Sequence, residues 1–188
     1  MLAVSAARSA GFSLPELMVV VAIAAVAIGV AAPGFGELAR AQRLRSAATD
    51  LFAAIGLARA QAIARNERVK LMPADPAGQD WSRGWTVFVD RDGDRQPGDG
   101  DEIIAVHGPL AEGVATAFAF TSPAPPYYIA YNGAGRSCSD TSSAAARWGT
   151  LSLFYGEHTR RIKINMLGRA RLCNPARESG CDGAGAPP

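Results

Sequence analysis

The chain has 188 residues, of which 48% are hydrophobic, and its formal net charge at pH 7 is +2. This length allows one domain of ordinary size plus an appendage. The near-neutral charge implies no polyelectrolyte partner for the chain as a whole, and the three cysteines include no Cys-x-x-Cys pair of the kind that binds zinc.

The N-terminal region contains a long apolar run with one carboxylate at its start. Leu17 to Ala32 carry no charge, and residues 12–32 are long enough to cross about 30 Å of hydrocarbon. Glu16 precedes this run, where a charge is costly and usually functional. A secretory signal peptide and a plain membrane anchor are the alternatives. The run exceeds the signal core of about 7–15 residues, and neither alternative explains Glu16 or the step from Gly11 to Phe12.

The stretch GFSLPEL, followed by the apolar run, resembles the type III signal sequence of type IV pilins and pseudopilins. The resemblance implies that a prepilin peptidase cuts after Gly11 and then methylates Phe12. It also implies that Glu16 pairs with the new α-amine of a neighbouring subunit, and that Pro33 is a further family position. A buried carboxylate needs such a partner, and the pair would set the axial register of helices that otherwise slide.

The residues after Pro33 show helical periodicity. Apolar side chains recur at steps of three and four residues, which places them on one face of a helix. We expect residues 34–66 to form the amphipathic half of a long helix. The predicted buried face consists of Leu44, Ala48, Leu51, Ile55, Ala58 and Ala62.

Seven short segments beyond residue 66 predict β-strands, because they are β-rich and are separated by Gly, Pro or Asp. They are RVKLMPA, GWTVFVD, EIIAVHG, VATAFAF, YYIAYN, GTLSLFY and RRIKINML. Seven strands over this length predict two small antiparallel sheets. The helix-then-β order, GWTVFVDRDGD before EII, and the closing GRAR resemble the GspH/FimT group of minor pilins and pseudopilins. The expected fold is therefore α+β and pilin-like, with a long N-terminal helix packed on a C-terminal antiparallel β-sheet domain.

The predicted elements divide the chain into five parts. We expect a cleaved leader over residues 1–11, a transmembrane and assembly helix over 12–33, and the amphipathic half of the helix over 34–66. A β-rich globular domain then covers residues 67–172, and a tail covers 173–188. The resemblance implies a single-pass protein of the inner membrane with its C-terminal domain in the periplasm, which reaches a surface filament after assembly.

Residues 90–102, DRDGDRQPGDGDE, resemble a calcium-binding loop. Arg95 and Asp101 occupy the places where an EF-hand needs glycine and glutamate. We therefore expect a solvated hairpin turn, with a calcium-stabilised loop as the alternative. His107 and His158 have no metal-site spacing and no nucleophile beside them. No catalytic residue, metal site or cofactor is expected, and we expect the protein not to be an enzyme.

The cysteines are all in the last third of the chain. A periplasmic location permits disulfides, and three cysteines allow three single pairs. Cys173 and Cys181 are close in sequence and flank NPARESG, in which Pro and Gly favour a turn. This pair is preferred, and Cys138 with Cys173 is the next candidate.

The C-terminal part of the chain is basic. Arg169 and Arg171 are two residues apart and point the same way in an extended segment, and guanidinium groups suit phosphate oxygens. FimT-like members resemble this sequence in carrying a Gly-Arg-x-Arg element, which implies binding of double-stranded DNA for uptake. The candidate DNA-binding residues are Arg160, Arg161, Lys163, Gly168, Arg169, Arg171 and Arg177.

Two functions remain open from the sequence. The first is a FimT-like minor pilin of a type IV pilus, which is a filament assembly or tip component and whose basic C-terminal region binds DNA for natural transformation. The second is a GspH-like structural pseudopilin of a type II secretion system. The resemblance implies the prepilin peptidase, other pilins or pseudopilins and the inner-membrane assembly platform as partners in both cases.

Overall fold

The computed structural model describes residues 12–122 and 124–184, without the side chains of residues 30–34. The chain divides into two compact units, residues 1–39 and 40–188. Helix α1, Leu14–Arg65, contributes residues to both units. Within residues 12–122 and 124–184, no helix combines the length and the hydropathy needed to cross a membrane. The transmembrane segment over residues 12–33 stays a prediction.

The amphipathic half of α1 buries the face that the sequence predicts. All six predicted positions, from Leu44 to Ala62, are 0% exposed. The helix ends where Asn66 adopts a positive φ of 53°, a left-handed conformation that asparagine tolerates at the end of a helix. The backbone N–H of Glu67 donates to the carbonyl of Ala62 at 3.2 Å, which satisfies one of the last carbonyls of the helix.

Nine strands follow the helix and form two antiparallel sheets. They are β1 Val69–Pro73, β2 Trp85–Val89, β3 Glu102–His107, β4 Ala115–Phe120, β5 Ile129–Tyr131, β6 Ser137–Cys138, β7 Gly149–Tyr155, β8 His158–Ile164 and β9 Ala170–Cys173. The larger sheet has the order β3-β2-β1-β5-β6, and the smaller sheet has the order β4-β7-β8-β9. This arrangement confirms the predicted α+β fold with two antiparallel sheets.

The hydrophobic core lies between the amphipathic half of α1 and the two sheets. Leu51 and Ile55 of the helix, Val87 of β2, Leu151 of β7 and Ile162 of β8 are all 0% exposed in one cluster. Every member of this cluster lies at or beyond Leu44. A chain that begins at Arg40 therefore keeps the whole cluster, and residues 40–188 are expected to fold without the first unit.

Candidate assembly residues and nucleic-acid interface

The start of α1 places Glu16 against Ser13. Ser13 precedes the first helical residue, and its backbone N–H donates to Glu16 Oε2 at 3.4 Å. This is one half of a capping box, in which an acid in the first turn satisfies an N–H at the helix start. Glu16 is exposed within the described chain, so its carboxylate remains open to another donor.

Two of the predicted assembly positions are not described in full. Gly11 lies outside the described residues, and Pro33 falls within the span of α1 without a described side chain. Phe12 is described and 80% exposed. Processing at Gly11 and Phe12 and the roles of Glu16 and Pro33 therefore stay predictions.

The apolar side chains of the first unit are exposed between residues 12 and 29. Ten large ones are more than half exposed: Phe12, Leu14, Leu17, Met18, Val19, Val20, Val21, Ile23, Val26 and Ile28. An apolar surface of this extent marks a contact with a partner or a membrane.

The β8–β9 hairpin positions the Gly-Arg-x-Arg element. Asn165 closes the turn, because its side-chain oxygen accepts from the backbone N–H groups of Leu167 and Arg169, both at 3.0 Å. Gly168 is buried with a φ of 76°, and a Cβ there would approach the carbonyl oxygen of Gly135 to 2.7 Å. Its role in this structure is thus to allow the turn and the close packing, and Arg169 follows it at the exposed end of the hairpin.

The residues after β9 return over the outer face of the smaller sheet, which is the face opposite the core. The Cys173–Cys181 disulfide joins this segment to the end of β9, which confirms the preferred pair. Arg161 of β8 is 8% exposed, and its guanidinium donates to the carbonyls of Cys181 and Ala184. The Arg161 guanidinium is therefore engaged in hydrogen bonds to the tail, and it is not part of the exposed basic surface.

Two other predicted cations lie beside Arg161 on the outer face. Lys163 and Arg171 are opposite each other in the β8–β9 register. Both side chains donate to the carbonyl oxygen of Gly180, each at 3.0 Å. Lys163 also forms an ion pair with Asp182, with 3.6 Å between Nζ and Oδ2. The tail thus orders these two cations without burying Arg171.

A groove on this face collects three of the predicted cations. It has a volume of about 700 Å³ and is lined by Lys163, Arg169 and Arg171 together with Trp148 and Asp182. We name it the outer groove. Trp148 and Asp182 are absent from the predicted set of site residues. The alternation of β7 could have revealed the tryptophan, because it lies two residues before the outward-facing Thr150.

Arg160 and Arg177 lie apart from the outer groove. Arg160 is near the start of β8, whereas the β8–β9 hairpin with Arg169 begins at its other end. Burial, with the like charges of Arg177 and Arg45, lowers the pKa of the Arg160 guanidinium. The structure therefore divides the predicted DNA-binding residues into the outer-groove cations, this separate pair, the buried Arg161 and the turn residue Gly168.

The third cysteine is free. Cys138 of β6 is 0% exposed and packs with Met72, Phe88, Tyr128 and Ala130. Burial raises the pKa of its thiol, which keeps the group protonated and unreactive at neutral pH.

The acidic loop between β2 and β3 brings four carboxylates together. Oxygens of Asp90, Asp92, Asp94 and Asp101 lie within 4.8 Å of one another. They also serve the loop backbone, since Asp101 accepts from the N–H groups of Arg91 at 2.8 Å and Gly98 at 2.9 Å. A backbone-capping role matches the expected hairpin turn, and the calcium-stabilised alternative stays a prediction.

Asp90 also forms a buried ion pair with Lys70, whose side chain is 3% exposed against 11% for Asp90. Burial alone would raise the pKa of Asp90, but the hydrogen bond from Lys70 and the backbone N–H of Gly93 outweigh it and lower the pKa. Stability from this carboxylate is therefore present above its unfolded pKa of about 3.9 and is lost as the pH falls through the lower folded value.

We expect Asp90→Asn to lower the free energy of unfolding by about 3 kcal/mol at pH 7, because it leaves the Lys70 ammonium buried without its counter-charge. Urea unfolding of residues 40–188 measures the change. Asp92→Asn is the matched control, since Asp92 is exposed in the same loop. Equal stability of the two variants would contradict a structural role for the buried pair.

The N-terminal helix with its exposed apolar half, followed by two antiparallel sheets, defines a pilin-like α+β subunit. The family model described as type II transport protein GspH matches residues 47–168, which is more than half of the chain, and the chain belongs to this family. The prokaryotic N-terminal methylation motif matches residues 6–32. Both matches agree with the resemblance to the GspH/FimT group of minor pilins and pseudopilins that the sequence carries.

Solved structures share the fold at low sequence identity. The type IV minor pilin FimU of Pseudomonas aeruginosa is 16% identical over 75% of this chain and 96% of its own, with a TM-score of 0.53. A second crystal form of FimU gives the same TM-score of 0.53 at 17% identity, covering 73% of this chain and 99% of its own. The minor pseudopilin EpsH of Vibrio cholerae covers 72% of this chain and 99% of its own at 17% identity, with a TM-score of 0.48. No curated protein matches the chain.

Proposed function

We propose that this chain is a minor pilin of a type IV pilus, and that its outer-groove cations bind DNA during uptake. The proposal includes processing by the prepilin peptidase after Gly11 and methylation of Phe12. It also includes anchoring in the inner membrane, with the C-terminal domain in the periplasm until the subunit enters a filament. The role is structural and binding rather than catalytic.

The exposed apolar half of α1 supports the filament part of the proposal. Side chains from Phe12 to Ile28 are exposed in the isolated chain, and burying them against neighbouring helices or lipid is favourable in proportion to their area. Glu16 stands at the start of this surface, where a neighbouring subunit's α-amine would give it an opposite charge. The pair then fixes the axial register, which apolar packing alone leaves loose.

The observation that carries the DNA-binding part is the exposure of Arg169 and Arg171 beside the tail. Both are exposed, while Gly168 and Asn165 fix the turn that presents them. Arg171 is further ordered by its hydrogen bond to Gly180. Ordered guanidinium groups lose less freedom on binding phosphate, which favours recognition of a DNA backbone with little sequence preference.

A structural pseudopilin of a type II secretion system is the second candidate. The description of the matching family model, type II transport protein, favours it. In that role the outer-groove cations would contact acidic surfaces of neighbouring subunits instead of DNA. Measured DNA binding separates the two functions.

We expect residues 40–188 to bind duplex DNA, and Arg169→Gln with Arg171→Gln to lose most of that binding. Two lost phosphate contacts should also lower the slope of log affinity against log salt concentration by about 2. Fluorescence anisotropy with a labelled duplex, titrated at low and moderate salt, measures both quantities.

The matched control is Arg43→Gln with Arg83→Gln, which removes the same charge from exposed positions outside the groove. It should bind nearly as well as the unmodified domain. Equal losses in the two double variants would show a general charge effect and count against the groove. If the unmodified domain does not bind DNA, the structural pseudopilin is the better assignment.

A further inference from the structure

Trp148 is an exposed aromatic side chain in the outer groove. The chain has three tryptophans, and the other two, Trp81 and Trp85, are 0% and 2% exposed in the core. Trp148 is 45% exposed and lines the groove with Lys163 and Arg171. Its position therefore cannot be explained by core packing.

A single exposed apolar side chain is ordinary on a protein surface. Trp148 differs because it lies in a concavity that also holds three cationic side chains, Lys163, Arg169 and Arg171. Cations that follow a phosphate backbone, with an aromatic ring on which a base stacks, are the two elements of single-strand recognition. The groove combines both within one face of the smaller sheet.

We propose that the outer groove binds single-stranded DNA in preference to duplex, with Trp148 stacking on an unpaired base. This inference rests on the DNA-binding function proposed above. In a duplex the faces of the bases are covered by their neighbours, so the indole ring has no free face to contact and only the phosphate contacts remain. An unpaired strand offers both the phosphates and the base faces.

Asp182 modulates the same groove. Its carboxylate is 88% exposed and pairs with Lys163 at 3.6 Å, so it competes with a phosphate for that ammonium and repels the strand. Asp182→Asn should therefore strengthen binding of single strands and of duplex alike, by a few fold and more at low salt than at high salt. Substitutions at Trp148 and at Asp182 therefore test base stacking and charge separately.

The test uses residues 40–188, a short labelled oligothymidylate and a duplex of the same length. Trp148→Ala should weaken binding of the single strand about 5- to 150-fold, which corresponds to about 1–3 kcal/mol for one stacked base. It should change duplex binding by less than about twofold, because the phosphate contacts are retained. Trp148→Phe should recover part of the loss, since the phenyl ring also stacks.

Intrinsic fluorescence provides an independent readout. Because Trp81 and Trp85 are buried, quenching by oligothymidylate reports mainly on Trp148 and should disappear in Trp148→Phe. Circular dichroism confirms that the variants fold, and the exposed position makes folding defects small.

The outcomes of these measurements distinguish base stacking by Trp148 from DNA binding by the outer groove as a whole. A selective loss of single-strand binding in Trp148→Ala, with quenching in the unmodified domain, supports the inference. If Trp148→Ala binds the single strand as tightly as the unmodified domain, or loses both ligands equally, stacking is overturned while DNA binding stands. If the unmodified domain binds neither ligand, the proposed DNA-binding function falls together with the inference.

Discussion

Gly11→Val should abolish processing and leave a full-length chain that still carries residues 1–11. The resemblance to type III signal sequences places the scissile bond after Gly11, where a branched side chain would crowd the active site of the peptidase. The N-terminal methylation motif matches residues 6–32 and thus includes this position. Mass spectrometry of membrane fractions measures the result, because cleavage removes residues 1–11 and methylation adds one methyl group to Phe12.

Gly29→Ala is the matched control for this variant. Apart from the adjacent residues and the backbone of its own helix, a Cβ built at Gly29 meets no atom within 4 Å, so the substitution adds a methyl group without a clash. It should be processed like the unmodified chain. A mature protein that begins after Ala32 would instead indicate an ordinary secretory signal peptide and would overturn the pilin-type leader.

The spacing of apolar residues was sufficient to predict the helix and most of the strands. The face from Leu44 to Ala62 is buried as predicted, because an amphipathic helix must place its apolar stripe on the core. All seven predicted β-segments overlap strands of the structure. The two strands outside this set, β6 and β9, have two and four residues. Strands this short carry too little alternation to be recognised, and β9 alternates arginine with apolar residues.

The end of β8 illustrates how a local turn overrides a strand pattern. The segment RRIKINML predicts strand through Leu167, but β8 ends at Ile164. Asn165 accepts two backbone N–H groups of the turn through its side chain, and Gly168 supplies the left-handed conformation that closes the hairpin. The informative residues were thus Asn165, directly after the last residue of β8, and Gly168, three positions later.

The candidate site was less predictable than the fold, because it depends on where the tail lies. Sequence proximity was enough to identify Cys173–Cys181. It was not enough to show that the tail carbonyls accept hydrogen bonds from Arg161, or that Trp148, just before β7, joins Lys163 in the outer groove. The register of the strands and the path of the tail bring together residues that are far apart in sequence. Local composition and charge do not predict either of them.

The second large effect concerns Glu16. Glu16→Ala should be cleaved and methylated like the unmodified chain, since GFSLP around the scissile bond is unchanged. It should nevertheless fail to enter filaments. Among the described residues the carboxylate accepts weak hydrogen bonds from Ser13, at 3.4 and 3.5 Å, and a stronger donor can displace them. Assembly would bury a neighbouring subunit's α-amine against this position, and an unpaired buried ammonium costs several kcal/mol.

A cost of about 3 kcal/mol in the free energy of adding the subunit to a filament corresponds to a loss of more than about a hundredfold in its incorporation. Immunoblots of sheared filaments and of membranes measure the distribution of the processed subunit between the two fractions. Glu16→Gln is the informative companion, because it keeps an oxygen acceptor for Ser13 but removes the charge. If charge pairing sets the register, Glu16→Gln should fail to enter filaments nearly as completely as Glu16→Ala. If Gln enters filaments normally, the Ser13 contact at the helix start is the important interaction, and normal entry of Glu16→Ala itself would remove the basis for the register argument.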